Sequence, residues 1–213
     1  MSKEFRALQL RQVIAQAAAR MMVEDGVADF AYAKKKAGRQ LGVTEAFCLP
    51  SNSEIEDEIR LYQALYLSEE QPGLLRELRE DALKVMQLFE RFNPHLTGPV
   101  LDGTAGQYSE THIHLFADSA KEVEIFLLNQ QIPYDSNEKS YRVREKADKK
   151  NSDRMKVPMF TLEAPNGLVK LSVFEVDDIR FSTKNPVNGA NAERVDIAGL
   201  RALLAIKPAG DIY

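Results

Sequence analysis

Between Gly98 and Asp118, small, hydroxyl, acidic and imidazole side chains fall at spacings suited to a phosphate. Gly103-Thr104-Ala105 sets a glycine before a small hydroxyl residue, a turn in which backbone amides can come close to an anion. After a short loop comes Ser109-Glu110-Thr111-His112. Side chains two apart on a strand share a face, so Glu110 and His112 are expected to point at one spot. That arrangement makes Glu110 and His112 a candidate pair of polar side chains beside a bound phosphate. Gly103, Thr104 and Ser109 are the candidate ligand-binding residues.

The elements that must position these residues divide the chain in two. Up to Phe92 the apolar residues keep helical spacing: Phe5, Leu8, Val13, Ile14 and Ala17 in a first helix stopped by Gly26, and Phe30, Ala33, Ala37 and Leu41 in a second over 28–41. Ser51 and Glu54 have capping-box spacing ahead of a stripe of Ile55, Ile59, Tyr62 and Leu65. A fourth helix is predicted over 74–92, ending before Pro94. Beyond it, Gly98–Gly103 reads as a short strand running into the glycine turn. Thr111–Asp118 alternates, with Ile113, Leu115 and Ala117 on one side and His112, His114, Phe116 and Asp118 on the other. Ser119 and Glu122 form a second capping-box pattern opening a helix. Strands near 157–163 and 168–176 flank the hairpin signal Pro165-Asn166-Gly167. The charged stretch 139–156 is expected to be an exposed excursion, and a last helix falls near 193–206. The fold class is α+β, with a helical lobe over 1–95 and a small mixed-sheet domain over 96–213.

Bulk composition bounds the partners. The chain has 213 residues, 44% hydrophobic and 28% charged, which is the balance of a folded domain with one good-sized core or two small lobes. A net charge of −4 gives no global pull toward nucleic acid, so any polyanion contact needs a local basic patch. Lys34, Lys35, Lys36 and Arg39 are one candidate for nucleic acid, although three consecutive lysines cannot share one narrow helical stripe. The 139–156 stretch is the other. The single cysteine, Cys48, excludes an internal disulfide and reads as a buried thiol. No apolar run approaches membrane-span length and the amino terminus lacks a targeting pattern, so the expected location is the cytoplasm, away from membranes.

Residues 98–131 resemble nucleotidyltransferases of the polymerase-beta type, which carry a Gly-Ser turn, then Ser-Asp-x-Asp entering a strand, and a third carboxylate on a later strand. Gly103-Thr104 stands in the Gly-Ser place, and Ser109, Glu110 and His112 stand in the Ser-Asp-x-Asp place. Asp102-Gly-Thr-Ala105 and Leu115-Phe-Ala-Asp118-Ser-Ala-Lys121 are also similar to a small uncharacterised bacterial group of nucleotidyltransferase-like proteins with a helical amino-terminal lobe. The resemblance implies a nucleotide or other phosphate-bearing ligand held with magnesium or manganese, Glu110 and His112 as catalytic residues with Glu110 as metal ligand, and Glu163 or Glu175 as third carboxylate. The departures are chemical. Glutamate stands for the first aspartate, histidine for the second, and the interval from Thr104 to Glu110 is short. Magnesium prefers hard oxygen ligands, so His112 predicts impaired transfer. The alternative is a non-catalytic binding or regulatory protein, for nucleic acid or a protein partner, on a retained nucleotidyltransferase scaffold. His112 and His114, with Glu110 or Asp118, also offer zinc or manganese a partial ligand set, set against packing of both imidazoles on a strand face beneath the helical lobe, hydrogen-bonded to neighbours.

Overall fold

The computed structural model describes residues 3–43, 46–142 and 154–206. These form an α+β structure of seven α-helices and one five-stranded mixed sheet. The chain divides into two compact units. The first is Met1–Gln71 with Gly106–Ser109 and Pro186–Asn188, and the second is Pro72–Ala105, Glu110–Asn185 and Gly189–Tyr213. Among the described residues no helix is long and apolar enough to cross a membrane.

The first unit holds helices α1 (Lys3–Glu24), α2 (Phe30–Gln40) and α3 (Asn52–Tyr66). Their shared core is built largely from small residues: Ile14, Ala15, Ala18, Ala19, Ala33 and Ala37 with Ile55 and Ile59. Alanines let helix axes approach closely, which sets the inward stripe of α1. Leu8 is 63% exposed and Val13 45%, so the stripe predicted through them lies partly on the outer surface. Phe5 lies outside the described side chains. On α3 the predicted stripe holds at Ile55 and Ile59 and leaves the core by Leu65. The Ser51–Glu54 capping box forms as predicted, the hydroxyl taking the Glu54 amide and the carboxylate the Ser51 amide. As the spacing predicts, there is no strand before residue 93 among the described residues.

In the second unit the sheet runs in the order β1-β2-β5-β4-β3. Its strands are β1 (His95–Thr97), β2 (Thr111–Phe116), β3 (Asp135–Arg142), β4 (Arg154–Ala164) and β5 (Gly167–Phe174). Of the strand pairs in this sheet, only β2 and β5 run parallel. Helix α4 (Gln71–Leu88) was grouped by sequence with the helical lobe, but Leu78, Ala82 and Met86, with Phe89 just beyond it, pack on the sheet. Ile113, Leu115, Leu171, Phe160 and Leu162 meet them, as does Leu200 of α7 (Ile197–Ala205). Val123 and Leu127 of α6 (Ala120–Asn129) join the same core. Buried Asp81 anchors the β4–β5 turn to α4, accepting hydrogen bonds from the Asn166 backbone N–H at 3.2 Å and side-chain amide at 2.8 Å.

Several local expectations are corrected. Gly98–Gly103 is not a strand: Pro99 fits the first helical position, and Pro99–Asp102 form the short helix α5 between left-handed Gly98 and Gly103. The strand of that region is β1, just before it. Ser119 caps α6 without a side-chain hydrogen bond, so the second capping box is not made. Both ends of the predicted 139–156 excursion are strand, in β3 and β4, while 143–153 lie outside the described residues and with them Arg144, Lys146, Lys149 and Lys150.

Candidate functional site

The alternation of Thr111–Phe116 gives the sheet two unlike faces. Ile113 and Leu115 enter the main core, and His112, His114 and Phe116 face the other way, as their spacing predicts. Strand register identifies their neighbours. Thr97 pairs with His112, His112 with Lys170, Lys170 with Thr161, and Thr161 with Asp135. Lys139 and Tyr141 follow Asp135 on the same side of β3 by strand periodicity. This face therefore collects His112, His114, Lys139, Tyr141, Lys170 and Ser172 from three strands, β2, β3 and β5.

One end of the face is apolar. Phe116, Phe174 and Val157 pack with Tyr141, Met155 and Ile179. His114 sits among these rings, its centroid 4.6 Å from Phe174 and 5.3 Å from Tyr141. It is 1% exposed, and neither ring nitrogen has a hydrogen-bond partner. Burial, with the charges of Arg194 and Lys139, pushes its pKa down to about 3, so the imidazole is neutral. His114 is packed among side chains as expected, but without the hydrogen bonds to neighbours expected of it. Beside it, Tyr141 and Ser172 share a hydroxyl hydrogen bond of 2.8 Å.

The other end carries charge. Glu110 and Lys170 form an ion pair at 2.7 Å, with side chains 30% and 23% exposed. Lys139 is half-buried, its Nζ 5.2 Å from the Tyr141 ring centroid. Burial and then the charge of Lys170 lower its pKa, and Glu110 only partly opposes them. The His112 Nδ1 is buried with no partner. Desolvation, Lys139 and Lys170 hold this imidazole neutral, with a pKa of about 3. The charges that act on the neutral His112 are thus Lys139 and Lys170, while Glu110 is taken up by Lys170, and Asp135, on the same side, is exposed at the edge strand. Such a place attracts an anion.

The predicted binding turn is arranged differently from its expected role. The amides of Gly103, Thr104 and Ala105 all donate to the Pro99 carbonyl, at 2.9, 3.1 and 3.1 Å. Arg79 holds the same turn through the Val100 and Leu101 carbonyls. Amides that close a turn on its own carbonyl cannot also cradle a phosphate. Ser109 likewise accepts the Gly106 amide at 2.9 Å, and it groups with the first unit rather than with Glu110. The glycine that stands against His112 is Gly98: a Cβ there would lie 3.2 Å from the imidazole Cδ2.

The donor set does not suit a magnesium or manganese ion. Glu110 is engaged by Lys170, a cation where the family's pattern needs a second carboxylate. Among the described residues no three of His, Cys, Asp and Glu gather in a way that could hold a metal. Glu163 pairs with Leu168 near the hairpin, and both Glu163 and Glu175 are exposed. On α2, Lys34 turns inward to the Pro50 carbonyl at 2.8 Å and Lys36 lies over Tyr32, so the basic cluster does not form one surface row.

Sequence missed Lys170, which lies within an alternating strand, and singled out Lys139 only as one of the basic residues of the 139–156 stretch. These two residues set the electrostatics of this face, and Asp135–Arg142, polar on both sides, gave no sign of which side Lys139 would take. Comparison with known proteins finds no matching family model, no matching curated protein and no matching solved structure.

Proposed function

We propose that the protein binds a phosphate-bearing ligand of nucleotide kind on the sheet face at Glu110, His112, Lys139 and Lys170. On this reading it is a nucleotidyltransferase-like binding protein rather than a metal-dependent transferase. The observation that carries the proposal is the pair of half-buried lysines, one of them paired with Glu110, next to an imidazole with a buried, unpartnered Nδ1. A phosphate oxygen would offset the second lysine's charge and accept a hydrogen bond from His112 in its Nδ1–H tautomer. Binding would proceed without a divalent ion, since the lysines supply the charge that a metal supplies in the family.

Isothermal titration with a nonhydrolysable nucleoside triphosphate tests this, with chelator and then with magnesium. The expected result is binding in chelator, weakened at least about tenfold by Lys170→Met, the loss of one charge-assisted contact. Glu110→Gln should strengthen binding by removing the competing anion. A metal-dependent transferase site predicts the reverse for that variant. Binding that requires magnesium and disappears in Glu110→Gln would overturn the proposal, as would no binding at all.

A further inference from the structure

We propose that Lys139 is a nucleophilic amine that condenses with the carbonyl group of a phosphate-bearing aldehyde or ketone. The ligand class rests on the phosphate reading above; the reactivity of the amine does not.

The inference starts from placement. β3 is an edge strand, and seven of its eight side chains are polar or charged. Most of these residues are exposed, but Lys139 is half-buried on the face that also carries His112 and Lys170. Lys170 is held by Glu110 at 2.7 Å. Among the described residues no carboxylate comes within salt-bridge distance of Lys139. Among the described residues Lys139 is thus the cation of the pair without a salt-bridged carboxylate, next to a like charge that is held by Glu110. Amines become nucleophilic at neutral pH through desolvation or a neighbouring cation, and Lys139 has both. Its lowered proton affinity follows from the same geometry. The Tyr141 ring favours the cation by about 0.5–1 kcal/mol, which tempers the effect.

The step balances without an oxidant or reductant. The neutral Lys139 Nζ adds to the carbonyl carbon, forming a C–N bond while the carbonyl oxygen takes a proton. The carbinolamine then loses that oxygen as water, and a C=N bond remains. Water receives the proton released from nitrogen and supplies one to the departing hydroxyl. Lys170, which pairs with Glu110 in the free protein, would turn to the phosphate as the ligand enters. The proposal therefore makes one lysine the nucleophile and the other the anion clamp.

Borohydride trapping followed by peptide mapping tests it on the full chain, using pyridoxal 5′-phosphate and its phosphate-free counterpart pyridoxal. Lys84 and Lys156, whose side chains are 70% and 78% exposed, serve as internal references. At pH 7.5, Lys139 should be trapped at least about tenfold faster than either reference, and faster by pyridoxal 5′-phosphate than by pyridoxal. With pyridoxal, Glu110→Gln should raise the Lys139 rate, because a charge favouring the ammonium is gone. Lys170→Met should lower it, because the repelling cation is gone and Glu110 is freed to pair with Lys139. Unfolding would make all lysines alike, so opposite effects of the two variants distinguish the electrostatic cause from a loss of structure. Trapping of Lys139 no faster than Lys84 and Lys156 would overturn the proposal. Preferential trapping of Lys139 by both aldehydes equally would uphold the amine and count against the phosphate reading.

Discussion

Replacing Gly98 with alanine should loosen the whole His112 face. Gly98 has φ 77° and ψ −158°, a region that side-chain-bearing residues almost never occupy. Holding any other residue there costs about 1–3 kcal/mol. The new Cβ would also lie 3.2 Å from His112 Cδ2, so the ring, packed on its strand, must give by a few tenths of an ångström. Overpacking of this kind costs about 1–3 kcal/mol when the neighbour is confined, so the two effects together place the loss at about 2–6 kcal/mol. Because the chain forms two compact units, a single global transition is a poor readout. Amide hydrogen exchange over 95–97 and 111–116 reads the affected strands directly. A loss of about 2–6 kcal/mol corresponds to exchange about 30- to 20,000-fold faster there. Gly73→Ala is the control, since Gly73 is helical and nothing lies within 4 Å of its added Cβ. It should be neutral or stabilising by up to about 1 kcal/mol. Protection of β1 and β2 within about threefold of the parent in Gly98→Ala would refute the reasoning.

Three further outcomes follow from the second unit, beside the two binding and trapping experiments above. His114→Phe removes a buried imidazole whose nitrogens bond nothing, so stability at pH 7 should hold or rise by about 1–3 kcal/mol in chemical denaturation; a loss above that size would show that the nitrogens are satisfied. The same variant should change the pH profile. Folded His114 titrates near pH 3 and unfolded histidine near 6.5, so between those values the unfolded chain binds the extra proton. The parent therefore loses stability as pH falls below 6.5, by up to about 1.4 kcal/mol per unit from this group, and His114→Phe should remove that slope when the two curves are subtracted. Asp81→Ala strands the Asn166 donors, which should cost about 1–3 kcal/mol and speed exchange in the 163–168 hairpin; unchanged exchange there would show that the turn does not depend on α4.

What sequence alone determined is local. Helical spacing marked the helices of the first unit, and a hydroxyl three residues before a glutamate marked the cap at Ser51, because both interactions close within one or two turns. Period-two alternation separated the faces of β2, and Pro165-Asn166-Gly167 marked the hairpin that joins β4 to β5. The same local rules failed where two local structures compete. Gly98-Pro99 suits a helix start as well as a strand, and Ser119–Glu122 has the spacing of a cap that its side chain does not make. Tertiary structure decided the site. Lys170 reaches Glu110 only because β5 runs parallel to β2, and Lys139 joins them only because β4 brings the polar strand β3 into register. Tertiary structure also fastened the Gly103 turn to α4, through Arg79 on the Val100 and Leu101 carbonyls, and set Gly98 against His112. Spacing along a chain reports which side chains share a strand face, but the charge at a site is summed through space, and here half of it comes from strands far away in sequence.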